Sequence, residues 1–206
     1  MDRLGGPGAR RNAATTGKAR FHSCSGPYAA AWLTVFPTSP MLRFSNEELQ
    51  CAMRRRLGLA ICYEGPDTHG HHRINDNRGG RWEARHKALV KAWRQVFTEA
   101  GSFIPDRNAE RQLRNIHMPV PSDNNRRIDI VAPCLNVARG LPLFCDATII
   151  SPISRNGRPR GGTSNRGGRL LDEAERANNN TYWEVENSGL GALYCLGVET
   201  YGRIPS

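Results

Sequence analysis

Apolar side chains recur at helical spacing in one long stretch of this chain. Over 81–100, Trp82, Leu89, Trp93, Val96, Phe97 and Ala100 return every three or four residues or their multiples, and Gly101 follows. That pattern predicts an amphipathic helix stopped by a glycine. An earlier helix is predicted from Ser45. Glu48 stands three residues after that serine, Leu49, Met53 and Leu57 follow on one face, and Gly58 closes the run. A serine followed at that distance by a glutamate is the signature of a capping box. A third helix is predicted over about 170–180, LLDEAERANNN. Short apolar runs bounded by turn formers predict strands at 127–132, at 142–150 and at 193–198, with a further short strand around 113–118. The order from residue 81 onwards is helix, strand, strand, strand, helix, strand. It predicts an α/β protein with an αβββαβ core over 81–203.

The remaining segments carry little periodicity. Residues 1–27 are rich in Gly, Ala, Ser, Thr and Arg and read as a disordered basic tail. Residues 28–80 form a helical lead-in, from the apolar patch YAAAWLTVF at 28–36 to the polar, turn-rich stretch CYEGPDTHGHHRINDNRGG at 62–80. Residues 154–169, SRNGRPRGGTSNRGGR, hold five arginines and no acid and read as a flexible loop able to follow a phosphate backbone.

Charge sharpens this picture. The 206 residues carry a formal net charge of +10, which favours a polyanionic partner, DNA or RNA first among them. Arg54, Arg55, Arg158, Arg160, Arg166 and Arg169 are the candidate nucleic-acid contacts, against a plain solvated face for the run Arg54, Arg55, Arg56. Apolar residues make up 38%, lean enough that part of the chain is expected to stay unpacked. No run approaches 18 consecutive apolar residues, so no membrane partner is expected. The six cysteines show no CxxC spacing, and Cys134, Cys145 and Cys195 stand in apolar contexts that suit buried thiols. An intracellular, reduced protein is expected, the nucleus being one place for it.

The candidate chemistry lies in the two middle strands. Asp129 in RIDIV and Asp146 in LFCDATII are 17 residues apart, across a connection containing Pro133, Gly140 and Pro142. Two carboxylates at one height on neighbouring strands can share a hard divalent cation, Mg²⁺ or Mn²⁺. Two polar residues on half-solvated strands would give the same letters. Glu83 or His86, on the long helix, offers a further ligand or base, with a place on the helix surface the simpler expectation for His86. Cys62, His69 and His72, with Glu64 and His71 nearby, are the residues that would hold a zinc. One cysteine without a near partner falls short of a zinc set, so none is expected. Neither a phosphate-binding GxxxxGK[ST] loop nor a GxSxG elbow is present.

Several short motifs, in order, resemble the C-terminal region of non-LTR retrotransposon polyproteins. There a zinc knuckle precedes a restriction-like endonuclease domain. AWLTVFPTSP with LRFSNEELQCAMRRRLGL resembles the lead-in, and CYEGPDTHGHH stands at the knuckle. RWEARHKALVKAWRQVFTEAG resembles the helix that follows, RRIDIVAP and LFCDATIISPI the two acidic strands, and GALYCLGVETYGR the closing strand. The resemblance covers about 30–203. It implies a restriction-endonuclease-like core in which Asp129 and Asp146 hold the metal of a nuclease that nicks target DNA. Such cores place a lysine two residues after the second acid, where Thr148 stands, and no lysine follows Lys91. A migrated cation would have to be Arg176 or Arg169. The basic residue of such domains just before the T-Y at the helix end is Asn178 here, Ile128 replaces a proline, and the knuckle lacks cysteines. Beside the enzyme, the resemblance therefore also implies a catalytically inactive, nucleic-acid-binding remnant or a decayed fragment.

Overall fold

The computed structural model describes residues 7–26, 28–34, 43–61, 67–104, 111–135, 137 and 139–205. The chain forms two compact units. One gathers Met1–Asn77, Ile150–Leu171 and Val198–Ser206, and the other Arg78–Ile149 and Asp172–Gly197.

In the first unit, helix α1, Pro7–Cys24, stands where the composition reads as disordered. Its sequence has no apolar stripe to announce it. Ala19 is buried and packs with Ile153 and Tyr201, both far away in sequence. Tertiary packing supplies what local propensity lacks. Helix α2, Asn46–Leu57, has the expected capping box: Glu48 N donates to Ser45 Oγ at 3.2 Å, and Ser45 N donates to Glu48 Oε2 at 2.8 Å. Gly58, at φ 72°, closes it in the left-handed conformation that glycine adopts without strain. The arginine run is not a solvated face. Arg54 donates to Ala60 O, Arg55 lies over the Tyr201 ring at 5.3 Å, and Arg56 donates to Ala29 O and Cys24 O. A short helix α3, His71–Ile74, follows.

The Arg/Gly segment 154–169 is tied down rather than loose. Ser154 N donates to Arg158 O at 2.7 Å, Ile153 pairs with Pro159, and buried Thr163 donates to Pro152 O. Glycines close its turns, and Ile153 beneath them is fully buried.

The second unit opens with α4, Arg81–Glu99. Strands β1, Arg111–Gln112, and β2, Arg127–Ile128, pair antiparallel. The strand expected at 113–118 is instead a 3₁₀ turn, Leu113–Ile116. The i,i+3 spacing of Leu113 and Ile116 lets both reach one core, which a strand would have divided between faces. Strands β3, Ile130–Ala132, β4, Leu143–Ile150, and β5, Ala192–Glu199, form a sheet in the order β3-β4-β5. β3 and β4 are antiparallel, with Ile130 opposite Cys145. β5 runs with β4, since Ala192 N donates to Pro142 O at one end and Thr200 N to Ile150 O at the other. Helices α5, Arg169–Thr181, and α6, Trp183–Ser188, lie between these parallel strands in sequence.

Alternation along β4 separates two cores. Leu143, Cys145 and Ala147 join Ile130, Ala132, Val90 and Phe97, while Phe144 joins Ile128, Leu113, Tyr182 and Val185. The architecture is mixed α/β, as expected. Among the described residues no helix is long and apolar enough to cross a membrane.

Candidate active site

Asp129 interrupts a strand. It falls between β2 and β3 at a bend, and the β3–β4 ladder ends at the rung before it. Continuing that register by one residue sets Asp129 across from Asp146. The negative charge of Asp129 is near enough to oppose the ionisation of Asp146. At this rung a side chain replaces the backbone ladder: Ala147 N donates to Asp129 Oδ2 at 2.7 Å. The carboxylate is buried, 7% exposed. His86 Nε2 lies 3.1 Å from Asp129 Oδ2 and 3.1 Å from Ala147 O. Both neighbours are acceptors, so the network assigns the hydrogen to Nε2. Trp82, one turn earlier on α4, stacks on the imidazole with centroids 5.0 Å apart and planes 14° apart. His86 is thus engaged by the site rather than free on the helix surface.

Asp146 is held from α5. Asn178 Nδ2 donates to its Oδ2 at 2.7 Å. The Tyr182 hydroxyl lies 3.2 Å from its Oδ1 and 2.5 Å from Arg127 O, two acceptors for one proton. Asn178 and Tyr182 are four residues apart, and Tyr182 N donates to Asn178 O, so one helical face presents both. Arg126 fixes the corner that follows by donating to Thr181 O and pairing with the buried Glu184. Beside Asp146 opens a cavity of about 250 Å³, lined also by Thr148, Ala174, Ala177, Asn178 and Cys195.

The electrostatics follow from burial and crowding. Burial, then the negative charge of Asp129, push the Asp146 carboxyl up to about 6, against the opposing pull of Tyr182, His86 and Asn178. Burial pushes the Cys145 thiol up to about 12 and the Cys195 thiol to about 11, with the acids reinforcing both. Burial, then Asp146, raise the Tyr182 phenol. These groups stay protonated at neutral pH, leaving the acids as the anionic centre. Of the three cysteines expected inside, Cys145 is buried and Cys195 half-buried, but Cys134 is exposed, in a turn with φ 65°.

The Asp146 shift carries a stability prediction. Its carboxyl titrates near 3.8 when unfolded and near 6 when folded, so between those values the folded state holds the extra proton. Stability contributed by this group is present below about pH 4 and is lost as pH rises through about 6. Asp146→Asn is therefore expected to raise stability by about 2 kcal/mol at pH 7.5 and by almost nothing at pH 4. Urea denaturation at the two pH values reads the difference. Equal curves at both would show that Asp146 ionises in the fold without penalty.

The other residues proposed from sequence are less closely gathered. Glu83 is exposed and pairs with Lys87 at 2.6 Å on its own helix, while His86 of the same helix donates to Asp129. Arg176 is exposed, its Nε donating to Asp172 O one turn back, and is not among the residues lining the Asp146 cavity. Arg54, Arg55, Arg158, Arg160, Arg166 and Arg169 belong to the other unit. There Arg160 donates to Asn75 Oδ1, Arg169 lies against Gly162, and Arg158 and Arg166 are exposed. Cys62 lies outside the described residues. His72 accompanies Arg155 at 2.5 Å, and the His69 ring stands 5.7 Å from that of His71. Among the described residues no three His, Cys, Asp or Glu side chains gather as a metal cage. An Mg²⁺ or Mn²⁺ ion needs less, one or two carboxylates with water and phosphate completing its shell.

Sequence reasoning left Tyr182 aside. Its only signal was the i,i+4 spacing from Asn178. Comparison with protein-family models, with curated proteins and with solved structures finds no match for this chain.

Proposed function

We propose that this chain is retroelement-derived and that the unit carrying Asp129 and Asp146 is a restriction-like, Mg²⁺- or Mn²⁺-dependent endonuclease acting on DNA. One observation carries the reading: buried Asp129 and half-buried Asp146 lie one step beyond the last β3–β4 pair, and burial, then the Asp129 charge, oppose the ionisation of Asp146. An arrangement that costs stability persists where it serves chemistry. The antiparallel pair β3–β4, with β5 parallel to β4 after α5 and α6, agrees with a restriction-like core.

In this reading Asp129 and Asp146 bind the cation, which when present supplies Lewis acidity and an activated water. The Ala147 amide and His86 fix the Asp129 carboxylate, and His86 acts through its Nε2–H as a donor. Asn178 and Tyr182 orient Asp146. Thr148 and Asn178 stand where the resembling family places basic residues, and neither carries charge. That observation favours a second reading, a nucleic-acid-binding remnant without catalysis.

Nicking of supercoiled plasmid in Mn²⁺ separates the two. The wild-type chain is expected to nick slowly, and Asp129→Ala and Asp146→Ala to nick about tenfold more slowly still, a small factor because a charge-stabilising group is already missing. Equal nicking by all three proteins would sink the enzyme. Equal retardation of DNA by all three, with no nicking, is the result the binding remnant predicts.

A further inference from the structure

A second cavity, of about 440 Å³, lies wholly within the other unit. Asn12, Thr16 and Arg20 approach it from one face of α1, at i, i+4 and i+8. His69 and His71 line it from the start of α3, and Arg158 from the turn after Ile153. No carboxylate is among the described residues that line it. Asp67, whose charge acts on His71, is occupied, its two oxygens accepting from the His72 and Arg73 amides at 2.9 and 3.0 Å.

The cavity is built rather than incidental. Thr16 Oγ1 donates to Gly157 O at 2.8 Å and pins the Arg158 turn to α1. A Cβ on Gly58 would lie 2.1 Å from Arg20 Cζ, so the bare glycine at the end of α2 makes the space that guanidinium occupies. A Cβ on Gly157 would touch His71 at 3.4 Å. Two guanidiniums, two imidazoles and the amides of Asn12 and Asn156 supply donors from three separate segments.

We propose that this cavity binds a phosphate oxyanion, either as free phosphate or as a phosphate of a nucleic-acid backbone. Converging arginines match phosphate oxygens, and imidazoles that gain a proton add charge as the anion enters. Burial, then His69, hold the His71 imidazole below its ordinary value, with Arg55 and Arg20 reinforcing and Asp67 opposing. Arg158 also faces the cavity. A bound dianion reverses that balance, so the His71 titration midpoint rises on saturation and binding tightens as pH falls through the histidine range. The site stands apart from Asp129 and Asp146 and does not depend on nuclease activity.

The test titrates the full chain with inorganic phosphate and, separately, with a hexathymidylate lacking terminal phosphates, reading the ring protons of His69 and His71 by NMR. Saturable shifts with either probe support the site, and the tighter probe identifies the source of the phosphate. Arg158→Gln is expected to weaken binding about tenfold without changing the melting temperature, since Arg158 is exposed. Arg20→Lys is expected to weaken it less than Arg20→Gln does. Shifts that never saturate with either probe, or an Arg158→Gln protein that binds like wild type, would overturn the proposal.

Discussion

Asn178→Lys is expected to raise the rate of Mn²⁺-dependent plasmid nicking by about 100-fold over the wild-type chain. Asn178 is buried, and its Nδ2 already lies 2.7 Å from Asp146 Oδ2. Among the described residues its Oδ1 accepts no hydrogen bond. The adjoining cavity of about 250 Å³ is walled by Thr148, Ala174 and Ala177, small side chains that leave room for a longer stem. An ammonium there would act twice. It would offset the repulsion from Asp129 that helps hold the Asp146 carboxyl near 6, so that the acid ionises at lower pH. It would also place a positive charge where a phosphate gains negative charge in the transition state. The acid limb of the pH–rate profile should move down with the rate gain. The double variant carrying Asp146→Ala should lose that gain. A folded Asn178→Lys protein with unchanged nicking would count against the nuclease reading, because one of its two missing charges would have been restored without effect.

Arg126→Ala is expected to cost about 3 kcal/mol, the scale on which a buried ion pair loses one partner. Glu184 is 5% exposed, and its Oε2 already lacks a hydrogen bond, so the deletion strands a carboxylate in the core. Arg126 holds that glutamate below its ordinary value. The pair's contribution is therefore present above the ordinary glutamate range and fades as pH falls below it. Arg126 also donates to Thr181 O at the end of α5, next to Tyr182, so its loss frees the corner that presents Tyr182 and Asn178 to Asp146. Urea denaturation, followed by amide exchange at Tyr182 and Val185, reads both effects. Arg126→Met with Glu184→Leu is expected to recover most of the loss, since an apolar pair leaves no charge behind. A cost below about 1 kcal/mol for Arg126→Ala would class the pair with surface salt bridges.

Local signals were legible where one element contains all of its own cause. The Ser45–Glu48 box and Gly58 bound α2 from within three and one residues of its ends. The apolar spacing of α4 and the runs of β4 and β5 likewise marked their own elements. Elements held by distant partners were not legible. α1 has no stripe, and its ordering depends on Ile153 and Tyr201. The 3₁₀ turn at Leu113–Ile116 exists because its two apolar residues seek one core. Arg54, Arg55 and Arg56 read as a charge run but serve carbonyls and a ring contributed from elsewhere.

The candidate site divides the same way. The residue order alone determined that this chain is α/β, that it carries strong positive charge, and that two aspartates fall in neighbouring strand-like runs. Those properties depend on period, composition and neighbours in sequence. Only the tertiary structure decided that Asp129 breaks its strand opposite Asp146, that His86 rather than Glu83 joins it, and that Asn178 and Tyr182 hold the second acid. The reason is physical. Carboxylate burial, the repulsion that raises Asp146 and the donors that answer it are interactions between residues 17 to 60 positions apart, and separations of that kind are set by packing, not by local pattern.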